Sequence, residues 1–315
     1  PEDGAIARAV ETLRGGGLVA MPTETVYGLA CDASNGEAIA RLYEAKGRPR
    51  FNPLIAHVAD EAMARREADW GAGEGSLAPR LAAAFWPGPL TMVLPFAETT
   101  GSVSDLARAG LSTVALRQPD HPVALRLIEA FGGPLVAPSA NPSGRMSPTR
   151  AEHVAAEMGD RVDLILDGGA CRVGLESTIV SLVGRHPALL RPGGLDPEAL
   201  EAVLGTPLHA GGDHPDAPTS PGQLLRHYAP RSPLRLNAAR PKEGELYLGF
   251  GVQEASGSAD GNLSPTGSLV EAAANLFTLL RALDARAKPI AVAPIPMSGL
   301  GLAINDRLRR AARRE

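Results

Sequence analysis

Leu18-Val19-Ala20-Met21-Pro22-Thr23-Glu24-Thr25-Val26-Tyr27-Gly28-Leu29 joins a short apolar run to a turn crowded with hydroxyls and a carboxylate. Residues 18–21 read as a buried strand, so 22–29 lie at a strand's carboxyl end, where open α/β sheets place their ligands. Thr23 and Thr25 offer hydroxyls there, and Gly28 permits close backbone approach. Alone, the stretch is equally a plain strand-to-helix turn.

Upstream, Asp3 can cap a helix with Ile6, Val10 and Leu13 on one face, stopped by Gly15, Gly16 and Gly17. Downstream, Asn35 opens a helix with Ile39, Leu42 and Tyr43 inward, and a helix pair ends near Phe85 at the breakers Trp86-Pro87-Gly88-Pro89. The pattern predicts strands over 54–58, 90–94, 113–116, 135–137, 164–166, 177–183 and 189–190, and helices over 121–131 and 149–158. This alternation predicts one large α/β unit. Over 206–231 Pro, Gly, His and Asp dominate and periodicity vanishes, which is linker composition. Strands over 234–236, 246–250 and 290–292, with helices over 267–284 and 302–314, then predict a second, smaller α/β domain. The expected division is 1–205, 206–231 and 232–315.

Four further segments are more polar than their setting requires. Lys46-Gly47-Arg48-Pro49-Arg50-Phe51-Asn52-Pro53-Leu54 holds three cations within five residues at a helix end, followed by His57. A helix C-terminus favours cations for its dipole alone. Gly47 and Pro49 break the helix, however, which predicts charges on a fixed, exposed loop suited to phosphate. His57, in an apolar strand, reads by default as a satisfied core histidine. Ser112-Thr113-Val114-Ala115-Leu116-Arg117 ends a strand on an arginine that is either a surface charge or a carboxylate holder. Pro138-Ser139-Ala140-Asn141-Pro142-Ser143-Gly144, then Ser147-Pro148-Thr149, forms a hydroxyl- and amide-rich loop in which Ser147 or Thr149 could cap the next helix. Glu176-Ser177-Thr178 enters a strand, and Arg191-Pro192-Gly193 leaves the next.

Standard cradles are missing: the sequence contains no G-x-x-x-x-G-K-[ST], no G-x-G-x-x-G opening a helix, no G-x-S-x-G and no H-E-x-x-H. His209 and His214 fall in the linker and are expected to be solvated rather than metal-bound. The 315 residues are 44% apolar and 21% charged with a formal net charge of -4, a soluble-protein balance that argues against a strongly basic nucleic-acid binder. No apolar run reaches the length of a membrane span. Cys31 and Cys171 are far apart and outside any C-x-x-C pair, which points to a reducing cytoplasm and away from a zinc site.

Together, in this order, the five polar segments closely resemble the YrdC-like threonylcarbamoyl-AMP synthase family. Its K-x-R and S-x-N signature is matched by Lys46/Arg48 and Ser139/Asn141, and the runs at 22–29, 86–91 and 177–180 match as well. Residues 220–230, Ser-Pro-Gly-Gln-Leu-Leu-Arg-His-Tyr-Ala-Pro, look like the linker of the family's two-domain form. Cys31 stands where the family more often has a small residue such as glycine.

The resemblance implies an α/β fold: a twisted, mostly parallel YrdC-like open sheet with a basic concave site, plus a smaller Rossmann-like α/β domain. It implies synthesis of threonylcarbamoyl-AMP and pyrophosphate from L-threonine, bicarbonate or CO2, and ATP with Mg2+, feeding the t6A modification of tRNA alongside other tRNA-modifying proteins. By carry-over, Lys46 and Arg48 neutralise charge. Thr25, His57, Arg117, the main chain of Ala137, and Ser177 hold threonine. Arg48, Asn52, Thr113, Ser139, Asn141, Ser147, Arg191 and Tyr228 serve ATP, Asn141 supporting either the loop or a phosphate oxygen. No protein metal ligand is implied. The linker is expected to close over the pocket with Leu224 and Leu225 docked. Two other readings share the fold: an RNA-binding module using the basic cavity, and a carbamoyl-transferring domain. The overall acidity argues against the first, and the lack of extra cysteine pairs against the second.

Overall fold

The structure, a computed structural model, describes residues 3–71, 76–211, 220–221, 227–252 and 259–313. His214, Leu224 and Leu225 lie outside the described residues. In chain order the first strands are β1 Val19–Met21, β2 Gly28–Asp32, β3 Ile55–His57, β4 Leu90–Pro95, β5 Thr113–Arg117, β6 Leu135–Val136, β7 Leu164–Ile165, β8 Thr178–Ser181, β9 Ala188–Arg191 and β10 His209–Ala210. They form one sheet in the order β10-β9-β8-β4-β5-β3-β6-β2-β1-β7. The expected mostly parallel sheet is corrected to a mixed one: β1/β2, β2/β6, β3/β6, β4/β5 and β8/β9 pair antiparallel, and β1/β7, β3/β5, β4/β8 and β9/β10 pair parallel.

The helices of this part are α1 Asp3–Arg14, α2 Gly36–Lys46, α3 Glu61–Glu67, α4 Leu77–Phe85, α5 Asp105–Arg108, α6 Pro122–Phe131, α7 Ala151–Met158 and α8 Pro197–Leu204. They pack against the sheet in one main core, and in the middle strands alternation sorts the side chains. Ala56, Val114, Leu116 and Val180 join the main core. Ile55, Val93, Ala115 and Ile179 form a small apolar patch on the other face. His57, Thr113 and Arg117 share the parity of that second face, which carries the cavity described below.

Two sequence expectations change here. Residues 22–29 do not lead into a helix: they connect β1 to β2, which were not separated in the sequence because Gly28, Leu29 and Ala30 continue an apolar pattern. Residues 206–231 are not linker throughout, since His209–Ala210 adds an edge strand parallel to β9. The strand β2 and the helices α5 and α8 are additions to the predicted set.

A second sheet holds β11 Leu234–Arg235, β12 Leu246–Gly249, β13 Gly261–Asn262 and β14 Ile290–Val292 in the all-parallel order β11-β14-β12-β13. Helices α9 Leu269–Asp284 and α10 Leu300–Ala312 cover it. Ser268 starts α9 by accepting from Glu271 N. This second core also takes in Met146, Leu175 and Tyr228, so the two sheets share an apolar seam. No helix among the described residues is long and apolar enough to cross a membrane.

Candidate active site

Register brings the first two site residues together. His57 and Arg117 are paired partners at the carboxyl ends of parallel β3 and β5. On the far side of β5, antiparallel β4 begins where β5 ends, and Arg117 Nε donates to the Gly88 carbonyl at 3.3 Å. Strand β8 runs parallel to β4, which sets Ser177 beside the same corner. Arg191, at the end of antiparallel β9, donates from Nε and Nη2 to the Ser177 carbonyl at 3.1 and 2.9 Å. The turn that follows depends on Gly193: a Cβ there would stand 2.4 Å from the Glu176 carbonyl oxygen.

The 22–29 turn closes the site from the other side. Thr23 Oγ1 accepts from Thr25 N and Val26 N, each at 3.2 Å, and Thr25 Oγ1 lies 2.8 Å from it. Gly28 does permit close approach, but of the chain itself: a Cβ there would be 3.0 Å from the Ala137 Cβ. This contact fixes Ala137, Pro138 and Ser139 in the wall. The result is a cavity walled by Thr25, Arg48, His57 and Arg117, by Ala137, Ser139, Ser177 and Arg191, and by Tyr228. Pro221 and His227 complete the wall from the linker side, so residues at both ends of the undescribed 222–226 stretch face it. The open interior is about 50 Å³, far below the roughly 300–1,000 Å³ of ligand pockets.

The cation loop is corrected from exposed to interior. Gly47 takes a left-handed conformation at φ 59, and Arg48 N bonds back to the Tyr43 carbonyl at 2.9 Å, folding the loop inward. Lys46 is 3% exposed and Arg48 8%. Lys46 lies outside the cavity wall; its ammonium donates to the Ser139 carbonyl and, at 2.5 Å, to that of Asn141. Burial, then Arg48, pushes its pKa well down. The lysine therefore ties the end of α2 to the 139–141 loop. Arg48 does face the cavity, and burial lowers its pKa only to about 10, so it stays charged at neutral pH.

Asn52, Thr113, Asn141 and Ser147 also stand outside the wall. Thr113 sits on the cavity's face of the sheet, at the opposite end of β5 from Arg117. Asn141 donates to the carbonyls of Pro142 and Arg145 at 2.8 and 2.9 Å and so braces its own loop. Ser147 does not cap α7, whose start at Arg150 has no side-chain cap; it bonds the Glu176 carboxylate instead.

Charge inside the cavity is unequally compensated. Arg117 Nη2 lies 2.6 Å from Glu24 Oε2, both side chains being buried. Burial lowers the His57 pKa to about 3, with Arg117 adding to the effect, so this imidazole is neutral. Burial works against the Glu176 carboxylate, but Arg307 and Arg191 outweigh it and hold its pKa below the usual range. Among the described residues, Asn52 Oδ1, Asn141 Oδ1, His227 Nδ1 and Tyr228 OH are buried polar atoms on or next to the wall that find no hydrogen-bond partner. Buried polar atoms are nearly always paired, so their grouping here marks a site shaped for a polar ligand.

These observations bring together buried guanidiniums, neutral imidazole and hydroxyls on one sheet face. The sequence profile of the Sua5/YciO/YrdC family, described as telomere recombination, matches residues 11–193. The chain belongs to this family. A second profile, described as the C-terminal domain of threonylcarbamoyl-AMP synthase, matches 195–313. The threonylcarbamoyl-AMP synthases of Bacillus subtilis and Pyrococcus abyssi are 42% and 41% identical, over 98% and 99% of this chain and 93% and 95% of theirs. The crystal structure of P. abyssi Sua5 complexed with L-threonine superimposes with a TM-score of 0.87 at 39% identity, covering 99% of this chain and 95% of that one. E. coli YciO matches with a TM-score of 0.55 at 26% identity, over 61% of this chain and 91% of its own.

For a Sua5-family chain, the sequence reading missed three residues at this site. Glu24 was quoted within its turn, but its pairing with Arg117 needs the fold. His227 precedes Tyr228 and gave no separate signal. Glu176 was legible only as a charge entering a strand.

Proposed function

We propose that this chain is a threonylcarbamoyl-AMP synthase acting as a nucleotidyltransferase. The observation that carries the reading is the buried cavity in which Arg48, Arg117 and Arg191 converge with Thr25, Ser139, Ser177 and neutral His57. Threonine's amine loses a proton as it captures CO2, derived from bicarbonate, to give a carbamate. A carbamate oxygen then attacks the α-phosphorus of ATP, the bond to the β-phosphate oxygen breaks, and pyrophosphate leaves. The nucleophile belongs to the substrate, so the protein's work is orientation and charge neutralisation.

Arg117, its plane set by Glu24, takes the threonine carboxylate, with Thr25, His57, Ser177 and the Ala137 main chain around it. Arg48 and Arg191 face the phosphates, Ser139 and Tyr228 the nucleotide. Lys46 acts through the loop it ties, as do Asn141 and Ser147; Asn52 and Thr113 extend the nucleotide's side. Mg2+ fits as a companion of the phosphates, a hard cation that takes oxygen ligands from them and from water. Bound there, Mg2+ supplies neutralisation of phosphate charge. The division into 1–205, 206–231 and 232–315 gives a catalytic part, a lid and a docking part. The small interior supports the lid reading, because Pro221, His227 and Tyr228 bound a space of about 50 Å³ that is too small for a nucleotide. The product feeds t6A modification in the cytoplasm, with the other tRNA-modifying proteins as partners.

The test is incubation with ATP, Mg2+, bicarbonate and labelled threonine or valine, reading the labelled adenylate and pyrophosphate. A site that bonds the substrate hydroxyl disfavours the analogue lacking it. Threonine-dependent adenylate is expected; equal turnover with valine overturns the assignment of threonine.

A further inference from the structure

The last helix of the second sheet reaches under the cavity. Arg307, on α10, is 1% exposed. Its Nε donates to Glu176 Oε2 at 2.9 Å, and its Nη1 to the Pro192 carbonyl at 2.6 Å and to Asp306 Oδ2 at 3.1 Å. Its guanidinium carbon stands 5.2 Å from the centroid of the Tyr228 ring. Glu176 passes the connection on: its other oxygen accepts from the Ser147 hydroxyl. Glu176 and Tyr228 are in the cavity wall, and Pro192 directly follows Arg191, which is also in it.

Anchoring α10 does not require this arrangement. Ala303, Ile304, Leu308 and Ala311 already seat the helix in the second core. A buried ion pair costs several kcal/mol per ion in lost hydration, and apolar side chains of similar volume often hold layers together as well or better. What the arginine adds is direction, since a planar fork can hold a carboxylate and a carbonyl in fixed relative positions.

We propose that Arg307 is a positioning residue for the adenylation: from the second domain it fixes Glu176, and through it Ser147, together with the 191–193 turn and Tyr228, so that the nucleotide side of the cavity is complete only when that domain is docked. The proposal rests on the synthase reading above. It assigns the second domain a part in the reaction, exerted through one side chain. On the threonine side only Ser177 adjoins this network, beside Glu176 and bonded by Arg191; Thr25, His57 and Arg117 make no hydrogen bond or ion pair with Arg307.

The experiment compares full-length wild type, R307M, R307K and R309M. It reads adenylate formation, KM for ATP, threonine affinity by calorimetry, and the melting temperature. A wild-type protein that forms no adenylate fails the synthase reading itself, whatever Arg307 does. Given an active wild type, R307M is expected to raise KM for ATP by about tenfold or more while threonine affinity stays within about twofold. R307K keeps the charge but cannot span Glu176 and Pro192 together, so it is expected to recover only part of the loss. R309M, at an exposed position of the same helix that bonds only the Asn305 carbonyl among the described residues, is expected to bind ATP as wild type does. If R307M does not fold, R307K decides: a raised KM for ATP with normal melting and normal threonine affinity supports the proposal. An R307K enzyme with wild-type KM for ATP overturns it. So does a parallel fall of ATP affinity, threonine affinity and folded fraction in the variants, which marks a purely structural residue.

Discussion

His57 and His227 are buried imidazoles whose pKa values fall to about 3, in each case chiefly through burial. Because the unfolded chain binds these protons near pH 6.5, unfolding takes up protons at any pH between those values. Stability is therefore full above pH 6.5 and is lost as pH falls. At pH 5 each histidine is expected to remove roughly 2 kcal/mol. Urea unfolding at pH 7 and pH 5 checks this, and an unchanged midpoint contradicts it. Lys46 has a different signature. Lys46→Ala strips the Ser139 and Asn141 carbonyls of a buried donor, so it is expected to cost about 2 kcal/mol of stability as well as turnover. An exposed phosphate-binding lysine would lose turnover alone; denaturant titration of the variant separates the two.

Among the elements, the linker's far end carries the most unusual backbone. Tyr228 adopts φ 64, left-handed for a bulky residue. Ala229 N holds it there by bonding the Gly144 carbonyl at 2.8 Å, and its ring packs at 5.8 Å from Phe277. Its hydroxyl has no partner among the described residues. Removing an unpaired buried hydroxyl leaves nothing unsatisfied, so Tyr228→Phe is expected to hold or raise stability by up to about 1 kcal/mol. ATP affinity should fall in the same variant, with more ATP consumed per adenylate retained. Melting curves and product yield per ATP measure the pair, and a Phe variant that binds ATP normally removes the hydroxyl from the site.

For the whole molecule, the seam is what matters. Met146 and Leu175 belong to the second core although they lie in the first part of the chain. Ending the chain after Pro207 uncovers both and removes β10, His227, Tyr228 and Arg307 together. The first sheet is expected to persist, because Leu208, half-buried at its margin, is the one described residue of its main core that the cut removes. Threonine affinity should survive, ATP affinity should fall by more than in Tyr228→Phe, and the adenylate should escape or hydrolyse. Calorimetry with each substrate and product yield per ATP read these outcomes. Retention of full ATP affinity by the shortened chain would show that the linker is only a tether.

The sequence by itself determined the α/β class, its division into a larger and a smaller unit and most strands and helices, because apolar periodicity, the helix start at Asn35 and the breakers at Gly15 and Pro87 are local. Through the family resemblance it also picked out Thr25, Arg48, His57, Arg117, Ser139, Ser177, Arg191 and Tyr228; read without it, His57 was a core histidine and Arg117 as readily a surface charge. Only the tertiary structure decided which of the quoted residues face the cavity and which brace it. Lys46 looked exposed because Gly47 and Pro49 end the helix; the left-handed turn at Gly47 buries it against carbonyls some ninety positions along the chain. Strand directions were undetermined for the same reason: β3 and β5 run parallel, β4 and β6 do not, and nothing within a strand records its neighbour. The Glu24–Arg117 and Glu176–Arg307 pairs close over long separations, where a charge in the sequence carries no mark of its counter-ion until burial makes pairing obligatory.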